Sequence, residues 1–285
     1  MEPEKIHDNH TCKACGLAFS GSYCNRCGEK VLSPDEKSFR HFLSNVLNAF
    51  TFIDSKFYKT LRLMLLKPGY VSAQVIDGIR VPYIRPLSMF FIVNLFYFLF
   101  TVSDTYNSRL YSQMNLMPYS SVTKKIVEQK IKAEKISIDA FRVNYEQQST
   151  SLAKLLLIIF VLFTGLCIAL FNIKSNKYFY DHITVSLEFN AMFILMGNIA
   201  LKLFALLITQ FMLLFDVLLE QYLTDPVYTS IAGLLAVILL FSMQRRVYHN
   251  TVVWSLIKAL AFIPCLAISM IAYRAILFFA TIWTI

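Results

Sequence analysis

Four cysteines near the N-terminus stand in two pairs of equal spacing, Cys12-Lys-Ala-Cys15-Gly16 and Cys24-Asn-Arg-Cys27-Gly28. Two residues between paired cysteines make a knuckle tight enough to aim both thiolates at one ion, and a glycine after the second cysteine readily takes positive φ. Two knuckles so close together predict a tetrahedral site for one structural Zn2+, with Cys12, Cys15, Cys24 and Cys27 as ligands. All four positions are filled by thiolate, so no vacancy is left for a catalytic water. A pair of disulfides in an exported module is the rival arrangement, and the doublet spacing argues against it. His7 and His10 flank the first knuckle and are expected in solvent, while Cys167 and Cys265 lie in apolar runs as small buried hydrophobes.

A second group of residues draws attention by its surroundings. Glu188 interrupts a long apolar run, and an ionisable group there costs a few kcal/mol unless it faces a partner or a water-filled cavity. With Asn190 and His182 nearby, and Arg274 farther along, it forms a candidate proton- or ion-coupled site. The bland alternative is that Glu188 and Lys202, about 21 Å apart along one helix face, snorkel toward opposite interfaces. A third set, Arg80, Tyr83 and Arg85, stands just before the first apolar run and is a candidate for lipid headgroup contacts. No Ser-His-Asp, Walker, dinucleotide-binding or HExxH pattern is present, and the chain is not expected to be an enzyme.

The elements that must position these residues follow from hydropathy. At 285 residues, 56% hydrophobic and mean hydropathy +0.54, the chain has the composition of a polytopic membrane protein. Hydrocarbon offers backbone groups no partner, so the fold is expected to be all-α apart from the N-terminal tip. Residues 1–32 form the zinc ribbon. Residues 33–85 carry amphipathic interfacial helices, one with Phe39, Phe42, Leu43, Val46, Leu47 and Phe50 on a single face and one with Phe57, Tyr58, Leu61, Met64 and Leu65. A third short helix, Tyr70 to Asp77, is ended by Gly78. Residues 86–285 form the transmembrane domain, with about five spans near 86–103, 155–173, 183–206, 227–243 and 252–273. Between the first two spans lies an outer loop, 104–154, expected to be helical from Val122 to about Gln147. From Ile183 to Leu223 no proline, and no glycine besides Gly197, offers a turn near Lys202, so a single helix with an outer extension is expected.

The net charge of +9 would point to nucleic acid in a soluble protein, but basic residues here gather at membrane ends, which counts against that partner. Placing the N-terminus in the cytoplasm puts Arg80, Arg85, Lys174, Lys177, Arg245 and Arg246 inside and Asp216, Glu220 and Asp225 outside. Five spans then leave the C-terminus outside. The first 38 residues contain no apolar signal-peptide core, so the first span is expected to serve as an uncleaved insertion signal. The expected partners are the bilayer and a cytoplasmic protein reached through the ribbon, with homo-oligomerisation left open. Three readings of function compete: a non-enzymatic membrane scaffold, a small transporter using Glu188, and a membrane-embedded enzyme acting on lipid.

The order CxxCG, YCxxCG (Tyr23 to Gly28), Asp54, Thr60, Leu65, Pro68-Gly69, Gly78-Ile-Arg80, Tyr83 and Pro86, followed by several spans, resembles a bacterial membrane family classed as domain of unknown function 3667. That family often shows a histidine-bearing motif at the start of its third span. Here Glu188 and Asn190 occupy the places where histidines would stand. The resemblance implies a bacterial cytoplasmic-membrane location and no particular activity.

Overall fold

A computed structural model describes residues 9–12, 15–21, 23–27, 56–100, 105–107, 109–213, 215 and 224–285. The expected amphipathic helix around Phe39 to Phe50 and the acids Asp216 and Glu220 lie outside the described residues. The chain divides into two compact units, Met1–Phe57 and Tyr58–Ile285.

In the first unit, strands β1 (Asn9–Thr11) and β2 (Ala18–Ser20) pair antiparallel, with Asn9 opposite Ser20 and Thr11 opposite Ala18. The second unit is helical. It comprises α1 (residues 56–66), α2 (Tyr70–Ile76), α3 (Pro86–Phe100), α4 (Leu110–Asn115), α5 (Ser120–Glu134), α6 (Ile138–Phe171), α7 (Phe179–Met192), a π-helical stretch (Phe193–Ala200) that passes into α8 (Leu201–Leu213), α9 (Asp225–Val247) and α10 (Val252–Thr284).

Among the described residues, four helices are long and apolar enough to cross a membrane: α6, the continuous rod Phe179–Leu213, α9 and α10. This is a multi-pass, all-α membrane architecture. The remaining expected span, 86–103, corresponds to α3, a shorter apolar helix. α10 packs along α6 and α9, and α7 lies between α6 and α3.

Two extents differ from the sequence expectation. The helix expected from Val122 to Gln147 is broken, because Lys135 takes a left-handed conformation (φ 54°) and ends α5. Ser137 then caps a new helix, its Oγ accepting from the Ala140 amide at 3.2 Å, and that helix runs on without interruption into the second span. At 34 and 33 residues, α6 and α10 are each about 50 Å long, far more than a hydrocarbon core of about 30 Å. Their projecting ends carry α4 and α5. Leu110, Val127, Phe141, Tyr145 and Phe278 form the core of this cap. It is pinned by Lys130 Nζ, which donates to the Ile282 carbonyl at 2.6 Å near the negative end of α10, and by Arg274, which donates to the Thr105 carbonyl at 2.8 Å.

The other difference concerns the amphipathic segment. α1 turns Thr60 and Met64 fully inward, whereas Tyr58 and Leu65 of the expected apolar face are exposed. The Thr60 hydroxyl accepts the amide of Ile84 at 3.0 Å and so ties α1 to the start of α3. α2 packs against α7 and α9.

Candidate functional site

The four N-terminal cysteines converge. Cys12 Sγ lies 3.4 Å from Cys27 Sγ and Cys15 Sγ lies 3.6 Å from Cys24 Sγ, and all four sulphurs fall within 4.8 Å of one another. A tetrahedron of thiolates about 2.3 Å from a zinc ion has edges of about 3.8 Å, so the arrangement needs little adjustment to hold one metal ion. The backbone builds it locally. Gly16, at φ +71°, donates its amide to the Cys12 carbonyl at 2.9 Å, and Cys12 donates to Leu17, which closes the first knuckle. The amides of Cys27 and then Arg26 pull the Cys24 thiol down to about 6, the thiolate character a metal ligand needs.

The second site lies in the helical unit. Glu188 is fully buried, and its carboxylate is shared between two backbone amides: Oε1 accepts from Gly69 at 2.9 Å and Oε2 from Ser72 at 2.6 Å. Those amides belong to the first turn of α2, where intrahelical partners are lacking. The Ser72 hydroxyl donates to the Thr184 carbonyl at 3.2 Å, one turn before Glu188. From the other side, Arg246 donates to the Pro68 carbonyl at 2.8 Å and Ser242 to the same oxygen at 3.3 Å. Pro68-Gly69 is therefore clamped between α7 and α9. Gly69 sits at φ +83°, and a Cβ there would stand 2.9 Å from the Met243 Cα, so both conformation and space demand glycine.

The Pro68 carbonyl and the Gly69 and Ser72 amides held in this clamp come from one stretch of sequence, and that stretch is recognisable. Residues 54–98 match the family model described as Protein of unknown function (DUF3667). No curated protein and no solved structure matches the chain. The DUF3667 segment thus holds Thr60, Pro68, Gly69, Ser72, Gly78 and Tyr83, while the side chains that grip it, Glu188, Ser242 and Arg246, lie beyond the match.

The remaining sequence-derived candidates fall into separate places. Asn190 is buried between α6 and α7, where its Nδ2 donates to Thr164 Oγ1 at 2.8 Å and to the Ser186 carbonyl at 2.8 Å, and Ser186 and Thr164 hydroxyls meet at 2.7 Å. His182 is also buried; its Nδ1 lies 2.6 Å from the Tyr248 hydroxyl, and the two rings stack. Neither touches Glu188 by hydrogen bond, so the three do not form one cluster. Glu188 does not snorkel, and Lys202 lies over the Tyr228 ring at 5.9 Å. Arg80 and Arg85 are exposed, whereas Tyr83 is half-buried between Lys59, 5.3 Å above its ring, and Tyr70, edge-on at 6.4 Å.

Sequence reasoning missed Ser72, Ser242, Arg246, Thr164, Ser186 and Tyr248 as members of these networks. Arg246 was visible only as one of two basic residues at a membrane end. Ser186 and Thr164 carry the signature of polar glue between membrane helices, but nothing in their spacing pairs them.

Proposed function

We propose that this chain is a bacterial cytoplasmic-membrane protein that acts as a non-enzymatic scaffold, with its N-terminal zinc knuckles in the cytoplasm offered to a protein partner. The observation that carries this reading is the use made of Glu188. A carboxylate serving an ion pathway needs a water-filled approach and freedom to exchange partners. Glu188 instead has each oxygen engaged by a backbone amide and holds the Pro68-Gly69 turn in place. Its role is architectural.

Zinc is the metal favoured by four thiolates in a closed tetrahedral set, and a reducing compartment keeps such thiolates available. Support for the inward placement of the N-terminus comes from the clustering of Lys174, Lys177, Arg245 and Arg246 at one end of the helical unit, where Asn250 Nδ2 donates to Asn172 Oδ1 at 3.3 Å and joins the two turns. With α3 counted as a short fifth span, the C-terminus lies outside.

The test is reconstitution of the full chain in sealed vesicles. The scaffold reading expects proton and cation flux equal to that of protein-free vesicles, and one equivalent of zinc by elemental analysis. Flux that disappears in Glu188→Gln with insertion unchanged would overturn it in favour of transport.

A further inference from the structure

A cavity of about 370 Å³ opens where α2, the turn before α7 and the end of α9 meet. Its polar wall is Tyr70, Gln74 and Asp77 from α2 and its C-terminal cap, Lys177 from the turn, and Arg246 and His249 from the end of α9. These groups converge from three segments well separated in sequence, and the clamp at Pro68-Gly69 sets their spacing: Arg246 is anchored by the Pro68 carbonyl, and α2 is anchored by Glu188.

The charges in the wall are not matched to one another. Arg246 gives one guanidinium N–H to the Pro68 carbonyl at 2.8 Å and also lines the cavity. Lys177 and Asp77 both face the cavity, yet neither makes a side-chain hydrogen bond or ion pair among the described residues. The cavity therefore presents one unspent cation and one unspent anion beside an arginine. Its depth is also informative. Tyr178 and Tyr180, 82% and 60% exposed, follow Lys177 at the start of a membrane-length helix, the position of an interfacial aromatic belt.

We propose that this cavity binds a phospholipid headgroup bearing both a phosphodiester and a primary amine, of the phosphatidylethanolamine type. The phosphate oxygens are received by Lys177 and Arg246, where charge-assisted hydrogen bonds are strongest, and the ammonium donates to Asp77. A trimethylated amine has no hydrogen to donate to Asp77, and a glycerol headgroup brings no positive charge. Both are therefore discriminated against. The acyl chains remain in the bilayer, so the site reads the headgroup alone. This assignment is independent of the zinc site and of the scaffold reading.

The experiment uses the full chain in nanodiscs of phosphatidylcholine doped with phosphatidylethanolamine or phosphatidylglycerol, with lipids retained after mild delipidation identified by native mass spectrometry. The parent is expected to retain phosphatidylethanolamine preferentially. Lys177→Ala is expected to lower retention of every phospholipid roughly tenfold, the loss of about one charge-assisted hydrogen bond. Asp77→Asn is expected to remove the preference for the primary amine while leaving phosphate retention in place. Both positions lie away from the helix core, and an unchanged thermal transition checks that each variant folds. Equal retention by parent and both variants would overturn the proposal. So would binding of soluble glycerophosphoethanolamine as tight as that of the lipid, which would make the ligand a free phosphodiester rather than a membrane component.

Discussion

The Met243 Cα stands 2.9 Å from where a Cβ on Gly69 would be built, so a backbone atom of α9, not a movable side chain, closes the space over the Pro68-Gly69 turn. Gly69→Ala must therefore displace a helix as well as strain a left-handed residue. We expect a loss of about 2–5 kcal/mol, from a left-handed non-glycine (about 1–2 kcal/mol) plus overpacking (about 1–3 kcal/mol). Two glycines serve as controls. Gly78, at φ +91° with open space around it, should show the conformational cost alone on change to alanine. At Gly165 the nearest obstacle is the Ile183 Cδ1, the far end of a flexible side chain, and Ile183→Val should relieve most of the cost of Gly165→Ala. Thermal unfolding in detergent ranks the three; equal losses at Gly69 and Gly78 would remove the close approach from the account.

Removing the acceptor at Glu188 should free α2 rather than unfold the bundle. Glu188→Ala leaves the amides of Gly69 and Ser72 buried without partners, at about 1–3 kcal/mol for each. Glu188→Gln keeps the shape but turns an NH2 group toward one of them, for a smaller loss. Hydrogen–deuterium exchange is expected to rise across residues 69–78 while α6 and α10 keep their protection. Uniform deprotection would contradict a local role.

The hydroxyl pair between α6 and α7 should stabilise modestly. Thr164→Val and Ser186→Ala each remove one side of the 2.7 Å contact, and each is expected to cost about 1 kcal/mol, the double variant costing less than the sum. Additive losses would show that the two hydroxyls act independently.

In the metal-free knuckles the Cys24 thiol should ionise below the ordinary thiol value. The stability its thiolate lends is present above the unfolded value and lost as pH falls through the folded value of about 6. Thiolate absorbance of the metal-free protein, compared with that of Cys24→Ser, should show one group titrating near that pH. A difference that titrates at about 8.5, the unperturbed thiol pKa, would contradict the hydrogen bonds to Cys24.

The metal knuckles and the long apolar helices were legible because each is written in local spacing: CxxCG twice, and membrane-length runs without charge. The uninterrupted helix through Lys202 was legible for the same reason, since no helix breaker lies near that residue, whereas the extension expected as far as Leu223 is described only to Leu213. What escaped is non-local or unmarked. Glu188 announced itself as costly, but its partners are backbone amides 116 and 119 positions earlier, and an amide has no sequence signature. The break at Lys135 was unmarked because a lysine seldom takes a left-handed conformation; Ser137, a good cap three residues before Ala140, was the signal that could have located it. The π-helical stretch had only Gly197 and Asn198 to betray it, and Asn198 Nδ2 reaching the Phe193 carbonyl at 3.3 Å is visible only in three dimensions.

The cap over the projecting ends of α6 and α10 sets an order on biogenesis. Its own helices, α4 and α5, leave the ribosome early, yet the surface they settle on is completed only by Arg274, Phe278 and Ile282, which are synthesised some 140 residues later. Until α10 has been threaded into the bilayer, the seat of the lysine-rich helix is incomplete. This face therefore matures only after α10 has been made, and its protection from protease marks the insertion of that helix.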